Sequence, residues 1–322
     1  AREQRSWALP EHLHYTHWTA ERSLAFLDEN AARGKPFFLW SSFHDPHPPY
    51  VVPEPWASMY DPEDMQPGRL HPGEHQRNAP HFAKTQERSP DFRQWHSPFE
   101  AHGCASHLYP HESLKKDMAV YYGMMSFIDK EVGRILDKLD ELGIADNTLL
   151  VFTTDHGHFL GQHGLVAKGP FHYEDMLRIP MIVRWPNKVP AGKVSKAIQS
   201  LVDLTPSFLD AAELGAPENL QGVSQIPVWT GDTEEVRDFA LCENRHNPHM
   251  PHLVSYIGKR YKITVYREGD FGELFDLEED PNELYNLWDA PEAADIQQAL
   301  LQRFVQGMLK SEPMIMPRIS HA

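Results

Sequence analysis

Leu114, Met118, Tyr121, Met125, Ile128, Val132, Ile135, Leu139 and Leu142 fall at alternate steps of four and three. That spacing sets them on one face of a long helix, which Gly143 ends. The run TLLVFTT begins at Thr148, with the length and apolar character of a buried strand. The step pattern also suits a coiled-coil seam, but a helix that runs directly into a buried strand packs on that strand's sheet. The order recurs upstream, where a helix over 16–33, with Trp18, Leu24, Leu27 and Ala31 on one face and Gly34 as its stop, precedes FFLWSSF. Downstream, IPMIVRW reads as a second buried strand and VDLTPSFLDAAEL as another helix, stopped at Gly215. The expected class is therefore α/β, with a mostly parallel sheet and flanking helices over residues 1–224. Beyond Ser224 the runs shorten to DFALCEN, HLVSYI, RYKITVY and GELFDL, with a turn at Gly258-Lys259 and a last helix over 290–309. Residues 225–322 are expected to form a small antiparallel α+β subdomain.

Composition narrows the partners. The 322 residues carry 46 acidic and 30 basic side chains, a formal charge of -16. No basic field steers the chain onto nucleic acid or an anionic membrane, so a polyanion would need a local cluster of bases. No apolar run approaches the ~20 residues that a membrane span requires. The two cysteines, Cys104 and Cys242, allow at most one disulfide and fix no redox compartment.

In open α/β sheets ligands bind beyond the carboxyl ends of the strands, so the residues directly after the apolar runs are the candidates for a site. After FFLWSSF comes His44-Asp45-Pro46-His47-Pro48; after TLLVFTT comes Asp155-His156-Gly157-His158. Asp155 offers hard oxygen and His156 an imidazole, a pair that suits Ca²⁺, Mg²⁺, Mn²⁺ or Zn²⁺. In isolation such a dipeptide is more often an Asx turn beside a surface histidine. Its place after a buried strand, with glycines spaced behind it and Lys168 in GLVAKGP, favours a site: a metal ion and an ammonium facing one point can clamp a sulfuryl or phosphoryl group. His158 and His163 read as loop or supporting residues. His47, in a proline-stiffened turn, reads equally as a loop residue and as an aimed proton or hydrogen-bond donor.

These residues carry a family likeness. FTTDHGHFLGQHGLVAKGPFHYEDMLRIPMIVRWP resembles the signature of the sulfatase family, within the alkaline-phosphatase-like superfamily. PFFLWSSFHDPHPPY resembles the family's strand and substrate-histidine turn, and GELFDLEEDPNELYNLWD is similar to the segment that closes many bacterial and lysosomal sulfatases. The resemblance implies that Asp155 and His156 hold one divalent cation, usually Ca²⁺. It implies that Lys168 binds the sulfate oxygens and that His47 stands near the leaving oxygen, both as catalytic and substrate-binding residues. Arg178 also matches a family position and reads as structural. A periplasmic, secreted or lysosomal location follows from the resemblance only; the residues themselves assign none.

One departure is large. Sulfatases use a formylglycine made from the Cys or Ser of a C/S-x-P-x-R motif, and none occurs in these residues: Cys104 precedes Ala-Ser-His, Cys242 precedes Glu-Asn-Arg, and SEPMI at Ser311 lacks the arginine. The family's paired N-terminal aspartates and its Lys-x-x-His segment are absent too. The expectation is the C-terminal portion of a sulfuric ester hydrolase acting on a sulfate-ester small molecule or saccharide, inactive alone, whose formylglycine lies in an N-terminal segment of the same protein. Two alternatives stay open: a phosphodiesterase or phosphonate monoester hydrolase of the same superfamily, and a non-catalytic metal-binding module derived from the fold.

Overall fold

The computed structural model describes residues 5–91, 105–217, 219–245, 251–267 and 269–312; Cys104 lies outside them. The helices are α1 (Tyr15–Arg33), α2 (Pro80–Lys84), α3 (His111–Glu141), α4 (Glu174–Leu177), α5 (Leu204–Ala211), α6 (Ile226–Thr230) and α7 (Ala294–Ser311). The strands are β1 (Arg5–Ser6), β2 (Val51–Val52), β3 (Leu150–Thr153), β4 (Phe159–Leu160), β5 (Val166–Ala167), β6 (Met181–Arg184), β7 (Ala240–Asn244), β8 (Leu253–Ile257), β9 (Tyr261–Tyr266) and β10 (Gly272–Asp276). The chain divides into two compact units, Ala1–Gly68 with Tyr109–Thr148, and Arg69–Leu108 with Leu149–Ala322. Among the described residues no helix is long and apolar enough to cross a membrane.

In the first unit β1 and β2 pair in parallel, and α1 lies against α3. Helix α1 starts where the expected pattern starts, with His14 Nδ1 accepting the Thr16 N–H at 3.2 Å, and ends at Gly34, whose φ of 61° is left-handed. Its buried face is Thr16, Ala20, Ser23 and Leu27, small and partly polar, while Trp18 points outward. In α3 the ends of the expected stripe hold, with Leu114, Ile135 and Leu139 buried. Mid-helix the buried stripe sits one residue earlier, on Met124, Phe127 and Glu131, and Met125 is exposed. The cause is a polar seam: buried Glu131 accepts from Arg134 at 2.6 Å and from His17 Nδ1 at 3.2 Å, which an apolar count cannot register. Met124 and Phe127 pack with Tyr50 and Val52, and Trp56 stacks on Phe127.

The run FFLWSSF forms no strand: among the described residues no strand pairs with it, and Phe38 and Trp40 are 64% and 65% exposed. The expectation of a buried strand is not met here: an apolar run supplies the side chains, and a strand also needs a hydrogen-bonding neighbour.

In the second unit β3 and β6 pair antiparallel, with Phe152 opposite Ile182. Val151, Met181 and Val183 pack with Leu204, Val228 and Trp229. The C-terminal sheet runs in the order β10-β9-β8-β7, antiparallel throughout, with Gly258 and Lys259 in the β8–β9 turn as the sequence indicates. Leu300 and Phe304 of α7 cover it together with Tyr256, Ile263 and Leu274. Its other side meets an aromatic core of Phe82, Phe159, Phe171, Tyr173 and Phe275. Lys262 is fully buried there, paired with Glu283 and lying 3.4 Å from Glu174 Oε1. Glu283 Oε2 in turn accepts the Glu174 N–H at 2.5 Å, so a buried cation and its carboxylates seat the first residue of α4.

Candidate functional site

Strand β3 delivers the chain to Asp155. Asp155 Oδ1 accepts the N–H of the next residue, His156, at 2.9 Å and the Thr154 hydroxyl at 3.2 Å, local contacts that fix the carboxylate at the turn after the strand. The turn leaves Asp155 Oδ2 at 3.5 Å from His156 Nε2. The Asp155 side chain is exposed; the small desolvation it suffers works against its charge, but neighbouring His156 and the backbone N–H groups outweigh that and hold the carboxyl below its usual value. It is an anion ready for a cation. Gly157 is fixed by sterics: a Cβ there would stand 1.7 Å from the Asp175 carbonyl oxygen, and its N–H donates to the Met176 carbonyl at 2.9 Å. Only glycine lets α4 approach this closely.

From Phe159 the chain makes a hairpin, β4 to β5, and returns to Lys168. The turn between the strands is Gly161-Gln162-His163-Gly164, with φ of 102° at Gly161, 56° at His163 and 67° at Gly164. Twelve residues apart in sequence, Lys168 Nζ and His156 Nε2 stand 3.1 Å apart. Lysine only donates, so Nε2 accepts; the ring proton is on Nδ1, which donates to the Gly157 carbonyl at 2.7 Å. The hairpin thus brings together three of the residues singled out by sequence: Asp155, His156 and Lys168. The imidazole lone pair and the carboxylate are donors of the kind a divalent cation takes, two of the ~6–8 that Ca²⁺ requires.

His163 lies deeper. It is 5% exposed, with Nδ1 at 2.5 Å from Glu74 Oε1 and Nε2 at 3.2 Å from Asp175 Oδ2, and its ring stacks on Tyr173 at 3.5 Å. The Tyr173 hydroxyl also donates to Glu74, at 3.1 Å. Burial alone would lower the His163 pKa, but the two carboxylates outweigh it and raise it to about 9. Glu74, Asp175 and Tyr173 were not singled out by sequence. Glu74 stands 89 residues before His163 in a segment without periodicity, and no spacing rule joins them. His158 is half-buried beside the turn, and Arg178 is exposed at the end of α4.

His47 belongs to the first unit. Its turn is held by buried Asp45, which accepts from the hydroxyls of Tyr15 and Thr16 at the start of α1. His47 is exposed, and its Nδ1 lies 2.7 Å from the Pro48 carbonyl, which leaves Nε2 as the outward nitrogen. The first unit also holds, among the described residues, the one group of three His, Asp or Glu side chains whose ligand atoms all lie within 4.8 Å of one another, Glu11, His17 and Glu131. Lys130 pairs with Glu11 and Arg134 with Glu131, so these cations already meet the charge of that cluster. Cys242 is a half-buried thiol whose pKa burial raises, remote in character from a nucleophile.

Comparison with known proteins places the chain. The sequence model of the sulfatase family matches residues 1–214, and that of the C-terminal part of N-sulphoglucosamine sulphohydrolase matches 161–310. An arylsulfatase of Clostridium perfringens is 29% identical over 89% of this chain and 56% of its own length. An N-acetylglucosamine-6-O-sulfatase of Bacteroides thetaiotaomicron is 35% identical over 58% of this chain and 34% of its own length. Among solved structures, a phosphonate monoester hydrolase from Silicibacter pomeroyi superposes with a TM-score of 0.78 at 22% identity, covering 95% of this chain and 62% of that one, a likeness of fold. The chain therefore spans about half the length of the arylsulfatase it matches and a third of the sugar sulfatase. The mixed α/β architecture with its C-terminal antiparallel sheet is the alkaline-phosphatase-like one, and the chain belongs to the sulfatase family.

Proposed function

We propose that the complete protein hydrolyses sulfate esters and that this chain carries the half of the active site that grips the sulfate. The observation that carries the reading is the 3.1 Å approach of Lys168 Nζ to His156 Nε2 beside the Asp155 carboxylate. Asp155 and His156 would hold one divalent cation, Ca²⁺ by the family resemblance, which when bound supplies positive charge to a sulfate oxygen. The His156 lone pair serves one partner at a time, so an occupied site leaves the Lys168 ammonium to donate to the sulfate instead. His47 in its doubly protonated form gives Nδ1–H to the Pro48 carbonyl and keeps Nε2–H to donate to the leaving oxygen; that role rests on the resemblance.

The nucleophile is proposed as a formylglycine in an N-terminal segment of the same protein, and the 322-residue chain alone is proposed to be inactive. Exposure of Phe152 and Ile182 on β3 and β6 supports a further segment covering that face. A sulfated saccharide is the proposed substrate, from the relative that acts on N-acetylglucosamine 6-sulfate groups. Location in the periplasm, lysosome or outside the cell goes with that reading. The two ends of the chain are proposed as parts of a catalytic domain, 1–224, and a small subdomain, 225–322.

The test is Lys168→Ala in the complete protein with 4-nitrophenyl sulfate as substrate. Turnover should fall by roughly 10²–10³, the scale for losing one electrostatic contact to a transition state. A loss below tenfold removes Lys168 from the sulfate. Faster hydrolysis of a phenyl phosphonate monoester than of the sulfate would favour the phosphonate alternative. Binding of Ca²⁺ without turnover in the complete protein would favour the non-catalytic module.

A further inference from the structure

We infer that His163 is a positioning residue, tying the β4–β5 hairpin to α4 so that Lys168 and His156 keep their separation. This rests on the sulfatase reading of Lys168 and His156, and it adds a residue that the reading leaves without a role.

Both ring nitrogens of His163 meet carboxylates, Glu74 on one side and Asp175 on the other. A neutral imidazole donates once and would turn a lone pair toward the second carboxylate, so the doubly protonated ring is the form that fits. The two acids come from different pieces of chain. Glu74 is anchored by accepting the His71 N–H at 3.2 Å and the Tyr173 hydroxyl, which itself accepts from Asn78 Nδ2 at 2.7 Å. Asp175 sits in α4, a single turn too short to hold itself by its own hydrogen bonds. The remaining groups facing the cluster are His75, 3.9 Å from Glu74 Oε1, and the rings of Tyr173 and Phe159.

The contact reaches the site by two routes. Along the hairpin, the turn at 161–164 is locked by Gly161 N–H to Leu165 O and Leu165 N–H to Gln162 O, both at 2.9 Å, and β5 then leads directly to Lys168. Through α4, the Asp175 carbonyl occupies the space a Gly157 side chain would need, and Met176 accepts the Gly157 N–H. The Gly157 carbonyl in turn accepts from His156 Nδ1–H. His163 therefore joins the arm that carries Lys168 to the helix that seats His156. Its left-handed φ of 56°, costly for a side chain of this size, is held against that contact.

Amide hydrogen exchange by NMR on the full 322-residue chain tests the inference. In His163→Gln the Gly157 and Gly161 amides should exchange at least about tenfold faster, while Ile263 and Val265 in the C-terminal sheet keep their wild-type protection. Asp175→Asn cuts the same contact from the partly exposed side, should give the same local pattern, and serves if His163→Gln does not fold. The double variant should lose no more than the larger single effect. Unchanged exchange at Gly157, or a uniform acceleration throughout the unit, overturns the positioning role. A separate arm measures inorganic sulfate binding by calorimetry with and without Lys168→Ala. If Lys168→Ala binds as wild type does, the functional reading fails, while the exchange pattern still decides the role of His163.

Discussion

The charge on His163 is a statement about stability as well as geometry. In the unfolded chain an imidazole titrates near its ordinary value of 6.5, and in the folded protein His163 titrates at about 9. A raised value means that the folded state holds the proton more tightly. The contribution is fully present below pH 6.5 and is lost as pH rises through about 9. The thermal midpoint should fall by roughly 5 °C or more across that window, and His163→Gln should flatten the fall. Differential scanning fluorimetry at half-unit steps reads this; an equal slope in the variant refutes the assignment of charge. Glu273, which burial raises to about 7, loses its own contribution mostly at lower pH and is common to both proteins. At this scale the sequence was legible where chemistry follows a strand at short range: Asp155 and His156 stand directly after TLLVFTT, and Lys168 twelve residues on. It was not legible where partners are distant. Glu74 and Tyr173 complete the His163 cluster through the fold alone.

Elements show the same division. Helices α1 and α3, the C-terminal strands and the β8–β9 turn follow from period, glycine stops and turn residues, because those signals act within a few residues. The buried stripe of α3 and the pairing of FFLWSSF depend on neighbours, and there the pattern falls short. Short α4 carries no periodic signal at all, yet Gly157 exists to receive it. Gly157→Ala forces a Cβ to within 1.7 Å of the Asp175 carbonyl, so α4 must move. The expected cost is ~1–3 kcal/mol, the usual range for an overpacked contact, accompanied by weaker Lys168-dependent sulfate binding. Gly133, inside α3, is the control: nothing stands within 4 Å of its would-be Cβ, and Gly133→Ala should stabilise by about 0.5–1 kcal/mol through helix propensity and a less flexible unfolded chain. Urea denaturation distinguishes the two by the sign of the change in midpoint.

For the whole molecule the uneven balance is on β3 and β6. Their pairing places Phe152 opposite Ile182, and these side chains are 40% and 61% exposed while the other face of the same two strands is packed. Two strands with one open apolar face are a marginal sheet in water. The formal charge of -16 keeps such a chain dispersed by repulsion without removing the apolar surface. If the proposed further segment covers this face, the same substitutions must act in opposite directions in two contexts. Phe152→Thr with Ile182→Thr should reduce self-association and dye binding of the 322-residue chain, as measured by sedimentation velocity and by fluorescence of a hydrophobic probe. In the complete protein the pair should instead lower stability by ~2–4 kcal/mol, the scale for withdrawing two large apolar side chains from a packed interface. Equal and small effects in both contexts would mean that this face is solvated in the complete protein too, and the covering segment would have to be placed elsewhere.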